Sequence, residues 1–517
     1  MKTSPRTDGR LARRSLPFVR EALDLRSTLR RVWAGRDSFL FAAGFVMPRA
    51  MSLLTIPVYT RLLGPADFGR YELLTSIFAL LYAICLLGMD FALSVRFFGL
   101  NDAERRRDAT AAVMVAGTAS VVAALVLAAI AGVLGPIVLQ SSAGALPFAI
   151  IVAVLPFNVL GGVLAMCLRL RFRGRSYFAA LVGGAVGGAA SGVFLVIGLR
   201  LGLMGALAGF ALIHVVTFGL LLASSRGLFI ATWRDRDRAI RLARLGAPLV
   251  PAGASSWVFA VADRFFVSAF VGFTQLGLYA AAARLGTILV LIQFGFHATW
   301  GPAALRWGSA PDRDRRYAAS LRVVAVGGGA LVALISWLAL PLLWVLAGPS
   351  YVAAVDAVWP LAASALFLAM FFIVQIGASL AQRGDRVAWA TIAAAVVNTV
   401  ANIALIPPFG YMGAAWATLI AYALAYLIMY RMSQGVARMN LEFRRSTAWA
   451  VGWTFVAGAS TVSPAGLWPI LVVIVAAAAC AAMLLASGDA ARTLTLAIPA
   501  SGEKNEPDQL DRGGHSA

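Results

Sequence analysis

Lysine is almost absent from this chain of 517 residues, which carries only Lys2 and Lys504, near its two ends. A P-loop needs a lysine beside a glycine-rich turn to reach the β- and γ-phosphates, so ATP hydrolysis at such a loop is excluded. Cysteine is nearly as scarce. Cys85, Cys167 and Cys480 lie in apolar runs, without the spacing of a metal site or a disulfide framework, and read as small core residues. No carboxylates sit together as a pair fit for glycosyl chemistry, so no enzyme and no cofactor are expected. Charge as a whole is thin, 13% of residues against 61% hydrophobic, which excludes an ordinary water-soluble core.

Long apolar runs fill the space that charge leaves. A helix needs about 20 mostly apolar residues to cross a bilayer, because its backbone amides must be satisfied within the segment. Runs bounded by charge or turn residues lie at 39–60, 71–93, 110–134, 146–168, 177–199 and 201–222, then at 247–270, 278–300, 323–346, 352–380, 387–406 and 412–430, and finally at 446–462 and 467–486. The expected fold class is therefore an all-α integral membrane protein with about fourteen transmembrane helices.

Basic residues collect on cytoplasmic loops. With the amino terminus inside, 38 of the 44 basic residues fall in tails or inside loops, three fall outside (Arg61, Arg70, Arg200) and three are embedded. Both termini are thus expected in the cytoplasm. The net charge of +21 follows from this loop pattern and calls for no nucleic-acid partner. An amphipathic stretch at 11–33 puts Phe18, Leu25, Leu29 and Trp33 on one face, fit to lie on an anionic leaflet; a disordered basic tail is the competing reading. The first 38 residues lack the apolar core of a signal peptide.

Two blocks repeat at one offset. LGPADFGRY (63–71) aligns with VGFTQLGLY (271–279), so Gly64, Gly69 and Tyr71 match Gly272, Gly277 and Tyr279, 208 positions on; LGLMGA (201–206) aligns with FGYMGA (409–414) at the same distance. Each unit holds six predicted spans, an even number, so the repeat is parallel. The expected organisation is a basic tail (1–38), an N-terminal six-helix lobe (39–230), a C-terminal six-helix lobe (247–438), an appended pair of helices (446–486) and a tail (487–517), with any substrate site between the lobes near the midplane. Gly69 and Gly277 are expected to permit tight turns on the outer face.

The stretches PVYTRLLGPADFGRYELL (57–74), GMDFALSVRFF (88–98) and ADRFFVSAFVGFTQLGLYAAA (262–282), with HATWGPA (297–303), resemble the multidrug, oligosaccharidyl-lipid and polysaccharide flippase superfamily, in particular bacterial O-antigen and exopolysaccharide flippases. The likeness runs over roughly residues 39–440. It implies a multi-pass protein of the bacterial inner membrane that moves polyprenyl-pyrophosphate-linked oligosaccharide from the inner to the outer leaflet. Its implied partners are that lipid-linked substrate, membrane lipids, and polysaccharide polymerase and export proteins.

Embedded charges are costly unless they face water or a partner. Arg49, in the first span, and Arg284, in the eighth, are expected to face the chamber and hold pyrophosphate, which planar guanidinium groups grip bidentately; Arg264 joins them, and a structural ion pair between lobes is the competing reading. Lipid II flippases similarly carry cavity arginines on these two helices. Asp263 and Arg264 are adjacent and about 100° apart on a helix, so each is expected to need its own partner. Asp263, the i, i+4 pair Asn398 and Asn402, and Thr418 offer hard oxygen ligands for Na+, and lipid II flippases resemble this arrangement; with Asn402 in place of a carboxylate, plain hydrogen bonding between helices is weighed equally. The coupling ion, Na+ or H+, stays open. His214 is read as a packing residue ahead of a proton relay, and Asp90, His297 and Asp356 as interfacial.

A cation-coupled multidrug antiporter ranks second, since the embedded arginines favour an anionic substrate. A lipid II type flippase, a membrane glycosyltransferase and an inactive scaffold rank behind it.

Overall fold

A computed structural model of the protein describes residues 17–229, 235–462 and 474, and within them every regular element is helical. Ten helical stretches there are long and apolar enough to cross a membrane. The predicted fourteenth span (467–486), the tail 487–517 and Cys480 fall outside the described residues apart from Ile474, and so do the side chains of the amphipathic stretch at 11–33.

Helix α1 (Pro17–Cys85) contains the first predicted span and most of the second, whose last residues fall in α2 (Met89–Phe97). Its apolar part, Phe39–Cys85, has 47 residues, about 70 Å at helical rise against a hydrocarbon layer of about 30 Å. Gly64 breaks it, with φ 71 and ψ 170, a conformation that residues with a Cβ resist. Pro65 then opens the second half, where its missing N–H costs nothing. The second span thus begins about six residues earlier than the boundary set at residue 71.

The rest of the first half comprises α2 (Met89–Phe97), α3 (Asp102–Ala129), α4 (Ala131–Leu139), α5 (Ala145–Leu170), α6 (Gly174–Ile197) and α7 (Gly202–Ser224). Glycines let α6 and α7 approach closely: a Cβ on Gly184 or Gly188 would run into Thr217 or Ile213. A short helix, α8 (Arg236–Gly246), leads to the second half. Buried Asp108 on α3 anchors it, accepting from Arg238 at 2.5 Å while Arg96 on α2 takes its other oxygen at 2.8 Å.

The predicted seventh span divides at Ala262 into α9 (Val250–Val261) and α10 (Asp263–Val271). The break places the Asp263 carboxylate in the first turn of α10, where the helix dipole favours negative charge. Next come α11 (Phe273–Trp307), α12 (Arg313–Val323), α13 (Gly329–Trp337) and α14 (Ala339–Leu346), with a π-helical turn, Val324–Gly328, between α12 and α13. The order continues with α15 (Val355–Val374), α16 (Ile376–Leu380), α17 (Gly384–Phe409) and α18 (Tyr411–Gln434); α19 (Phe443–Val462), the predicted thirteenth span, packs Trp453 into the space where Gly329 lacks a Cβ.

The repeat is written in the backbone. Gly272, with φ 86 and ψ 175, breaks the chain as Gly64 does, and Gly202 and Gly410 open α7 and α18 with φ 55 and φ 61. A third pair escapes the sequence alignment. Phe172 (φ 54) and Gln382 (φ 55) occupy matching left-handed turns, each followed by an arginine whose N–H returns to the preceding helix, Arg173 to Leu168 and Arg383 to Ala378.

Gly69 and Gly277 correct the expectation placed on them. Neither makes a turn, since the turns belong to Gly64 and Gly272; instead each lies against the opposite half of the molecule. A Cβ on Gly69 would strike the carbonyl of Phe273, and a Cβ on Gly277 that of Pro65. Pro65 and Phe273 are themselves 208 positions apart, so the contact is reciprocal about the pseudo-twofold axis. Beside it, Arg61 donates to the Val345 carbonyl at 2.6 Å and Phe68 meets Tyr351 edge to face. The halves are therefore closed together at the arginine-poor end.

Gly69→Ala and Gly277→Ala should each wedge this end open, at a cost of about 1–3 kcal/mol from overpacking. Disulfide formation between Arg61→Cys and Val345→Cys measures it: cross-linking should fall in both glycine variants, and an unchanged yield would disprove the backbone contact.

Candidate functional site

Four charged side chains meet where the two halves face each other. Glu72, eight residues past the Gly64 break and thus about 12 Å along its helix, is only 2% exposed. Arg284 on α11 grips its Oε1 with Nη2, and with Nε at 3.2 Å. Arg264 on α10 approaches Oε2 at 3.6 Å through Nε and lies 3.3 Å from the Asp263 carboxylate through Nη1. Asp263 in turn accepts from the Tyr279 hydroxyl, which stands 3.5 Å from that of Thr418.

A buried carboxylate without a partner would cost several kcal/mol. Both partners of Glu72 come from the other half of the chain. The network holds two acids and two bases and is formally neutral. An open cleft of about 210 Å³ adjoins it, lined by Glu72, Thr75, Ser76, Val261, Arg264, Arg284 and Thr287 among others.

Glu72 is absent from the sequence-derived site. It stands beside Tyr71, at the expected start of the second span, whereas the helix after the Gly64 break begins at Pro65 and carries it further in. The signal that could have found it was the demand side: Arg264 and Arg284 lie deep in apolar runs and need counter-charges, and Glu72 sits in the motif used for the resemblance.

Arg49 is exposed, in contrast to Glu72. Its guanidinium lies 3.6 Å over the Phe45 ring and Nη1 donates to the Phe45 carbonyl at 2.7 Å; among the described residues it pairs with no carboxylate. Met47, Leu54 and Leu62 form an exposed apolar stripe on this helix. Arg49 lies about 200° away from Met47, on the side of Ser52. Ser52 donates to the Arg49 carbonyl at 2.6 Å, and its hydroxyl is 3.5 Å from Nη1 of Arg284. Arg49 therefore lies about one turn from Ser52, on the face of α1 turned to the second half, away from the apolar stripe.

The expectation that Asp263 and Arg264 need separate partners holds in part. Each has one, Tyr279 and Glu72, yet the two also touch each other: the Arg264 N–H donates to the Asp263 carboxylate at 2.8 Å, and Nη1 of Arg264 lies 3.3 Å from it. Asn398 and Asn402 are buried and bonded to one another, Nδ2 of Asn402 to Oδ1 of Asn398 at 3.0 Å. Oδ1 of Asn402 has no partner among the described residues. Asp263 and Thr418 thus meet through Tyr279, while the two asparagines form their own pair on α17.

His214 is clamped between Phe78 and Phe210, with ring centroids 4.9 and 4.6 Å away. His297 packs on Trp300 and Phe372. Asp90 and Asp356 are exposed. In the loops, the Arg171 guanidinium beside Asp102 holds its carboxyl below the usual carboxylate range.

Residues 34–304 match the model of a family described as polysaccharide biosynthesis protein. No curated protein matches the chain. Among solved structures, the lipid II flippase MurJ in an inward closed conformation is similar over 87% of this chain and 99% of its own, with a TM-score of 0.68 and 12% identity. A multidrug resistance MATE family transporter of the MOP superfamily, inward-facing, aligns over 79% and 98% with a TM-score of 0.65 and 15% identity; an outward-facing structure of such a transporter gives 0.57 over 79% and 96%, again at 15%. At these identities the likeness is one of fold.

The asparagine pair is open to a direct test. Asn398→Ala alone strands the Asn402 amide and should cost about 1–3 kcal/mol, whereas Asn398→Val with Asn402→Val removes both groups and should be nearly neutral. Thermal unfolding of the purified variants reads this, and a single variant as stable as the double would mean the pair bonds elsewhere.

Proposed function

We propose a flippase of polyprenyl-pyrophosphate-linked oligosaccharide, from the premise that this chain belongs to the polysaccharide biosynthesis protein family and on the observation that exposed Arg49, which pairs with no carboxylate among the described residues, lies about one turn from Ser52, whose hydroxyl is 3.5 Å from Arg284 at the interlobe cleft. A formally neutral network plus Arg49 leaves one net positive charge, which favours an anionic headgroup in a medium of low dielectric.

Arg49 meets the pyrophosphate as it enters between the halves, and Arg284 and Arg264 receive it at the cleft. Guanidinium groups suit this task because they stay charged and match phosphate oxygens in pairs. The contacts through Gly69, Gly277 and Arg61 close the arginine-poor end, here taken as the outer face of the inner membrane. Rocking the halves would break those contacts and open the site to the other leaflet. Asp263, Thr418, Asn398 and Asn402 remain the proposed cation-coupling residues, with the free Asn402 carbonyl oxygen as the ligand most ready to bind Na+. The polymerase and export proteins named from the resemblance would take the sugar chain after release.

Deleting the gene should leave lipid-linked repeat units on the cytoplasmic leaflet. Arg49→Ala and Arg284→Ala should each fail to complement the deletion by at least about tenfold in surface polysaccharide, a loss of roughly 1.4 kcal/mol or more in transport, at unchanged membrane abundance. Normal polysaccharide in the deletion strain, together with raised sensitivity to cationic dyes, would instead favour a multidrug antiporter. Transport in vesicles should slow when Na+ is removed and lose that dependence in Asp263→Asn; a rate indifferent to Na+ in the natural protein would remove the cation role.

A further inference from the structure

The ion pair that joins the halves at Glu72 competes for the groups assigned to the substrate. Arg284 has its Nε and one terminal nitrogen on Glu72 and, among the described residues, only Ser52 besides. Arg264 divides its charge between Glu72 and Asp263, and its buried Nε has no hydrogen-bond partner among the described residues, lying 3.6 Å from the Glu72 carboxylate. The pairing is thus loose on one side. Thr75, Ser76 and Thr287 line the adjoining cleft with their hydroxyls donated to the Glu72 and Ala283 carbonyls, so an anion arriving there meets the two guanidinium groups as its charged donors. Two anions cannot hold the same pair of guanidinium groups at full strength: like charges about 4 Å apart repel by several kcal/mol at protein dielectric.

We propose that Glu72 is an internal counter-anion, which occupies Arg284 and Arg264 while the transporter is empty and is displaced by the diphosphate of the substrate. This rests on the flippase reading and adds its regulation. Glu72 belongs to the first half and both arginines to the second, so the empty state is held together by an ion pair that the loaded state lacks. Substrate binding then loosens the halves at mid-depth, leaving the backbone contact at Gly69 and Gly277 as the remaining closure. The displaced carboxylate keeps its place on α1 and exchanges a guanidinium for water or a proton in the cleft.

The test is binding of a sugar-free polyprenyl pyrophosphate to the full chain in nanodiscs of neutral lipid. Glu72→Gln, which keeps the shape and removes the competing charge, should bind the probe about tenfold more tightly than the natural protein while flipping it more slowly. Glu72→Asp, whose shorter carboxylate reaches the guanidinium groups less well, should show a smaller gain and serves if the glutamine variant does not fold. Arg49→Gln should weaken binding. A purely structural Glu72 would give unchanged or weaker binding in its variants, and that outcome, with the natural protein binding and Arg49→Gln weakened, overturns the counter-anion alone. Failure of the natural protein and of every variant to bind the probe overturns the flippase reading and this proposal together.

Discussion

A charge at membrane depth persists only where another charge, or water, meets it, and the centre of this molecule is arranged around that demand. Glu72 from the first half and Arg284 and Arg264 from the second neutralise each other across the boundary between halves. Glu72 could not stay buried if the halves separated there without a substitute, because an isolated buried ion costs several kcal/mol. Separation and replacement of the counter-charge are therefore physically linked. Arg49, exposed and resting on Phe45, pairs with no carboxylate among the described residues and stands outside this constraint.

The backbone supplies a second kind of contact, indifferent to charge. Gly64 and Gly272 adopt the same extended conformation at positive φ, and five residues further on Gly69 and Gly277 present bare backbone to each other's helix starts. Glycine serves two separate needs within one short motif: conformational freedom at the break and absence of bulk at the approach. A duplicated sequence makes the contact reciprocal, so one motif shapes both sides of the closure.

The same economy shows in the broken seventh span. Asp263 and Arg264 leave one helix about 100° apart, but the end of α9 at Val261 puts the Asp263 carboxylate in the first turn of α10, where the Tyr279 hydroxyl and the Arg264 N–H reach it. Polar groups on α10, α11 and α18 thereby join the ion pair in one connected set, while Asn398 and Asn402 close on each other nearby in the sequence.

Apolar run length was enough to read an all-helical fold with spans of membrane length, since run length is a property of spacing along one helix, and the fixed repeat offset pointed to the matching glycine breaks at Gly64 and Gly272. Where Gly69 and Gly277 pack, which acid neutralises Arg284, and how Asp263 is held were invisible to spacing. They depend on which helices face each other and where a helix breaks, and those are consequences of how the two halves pack.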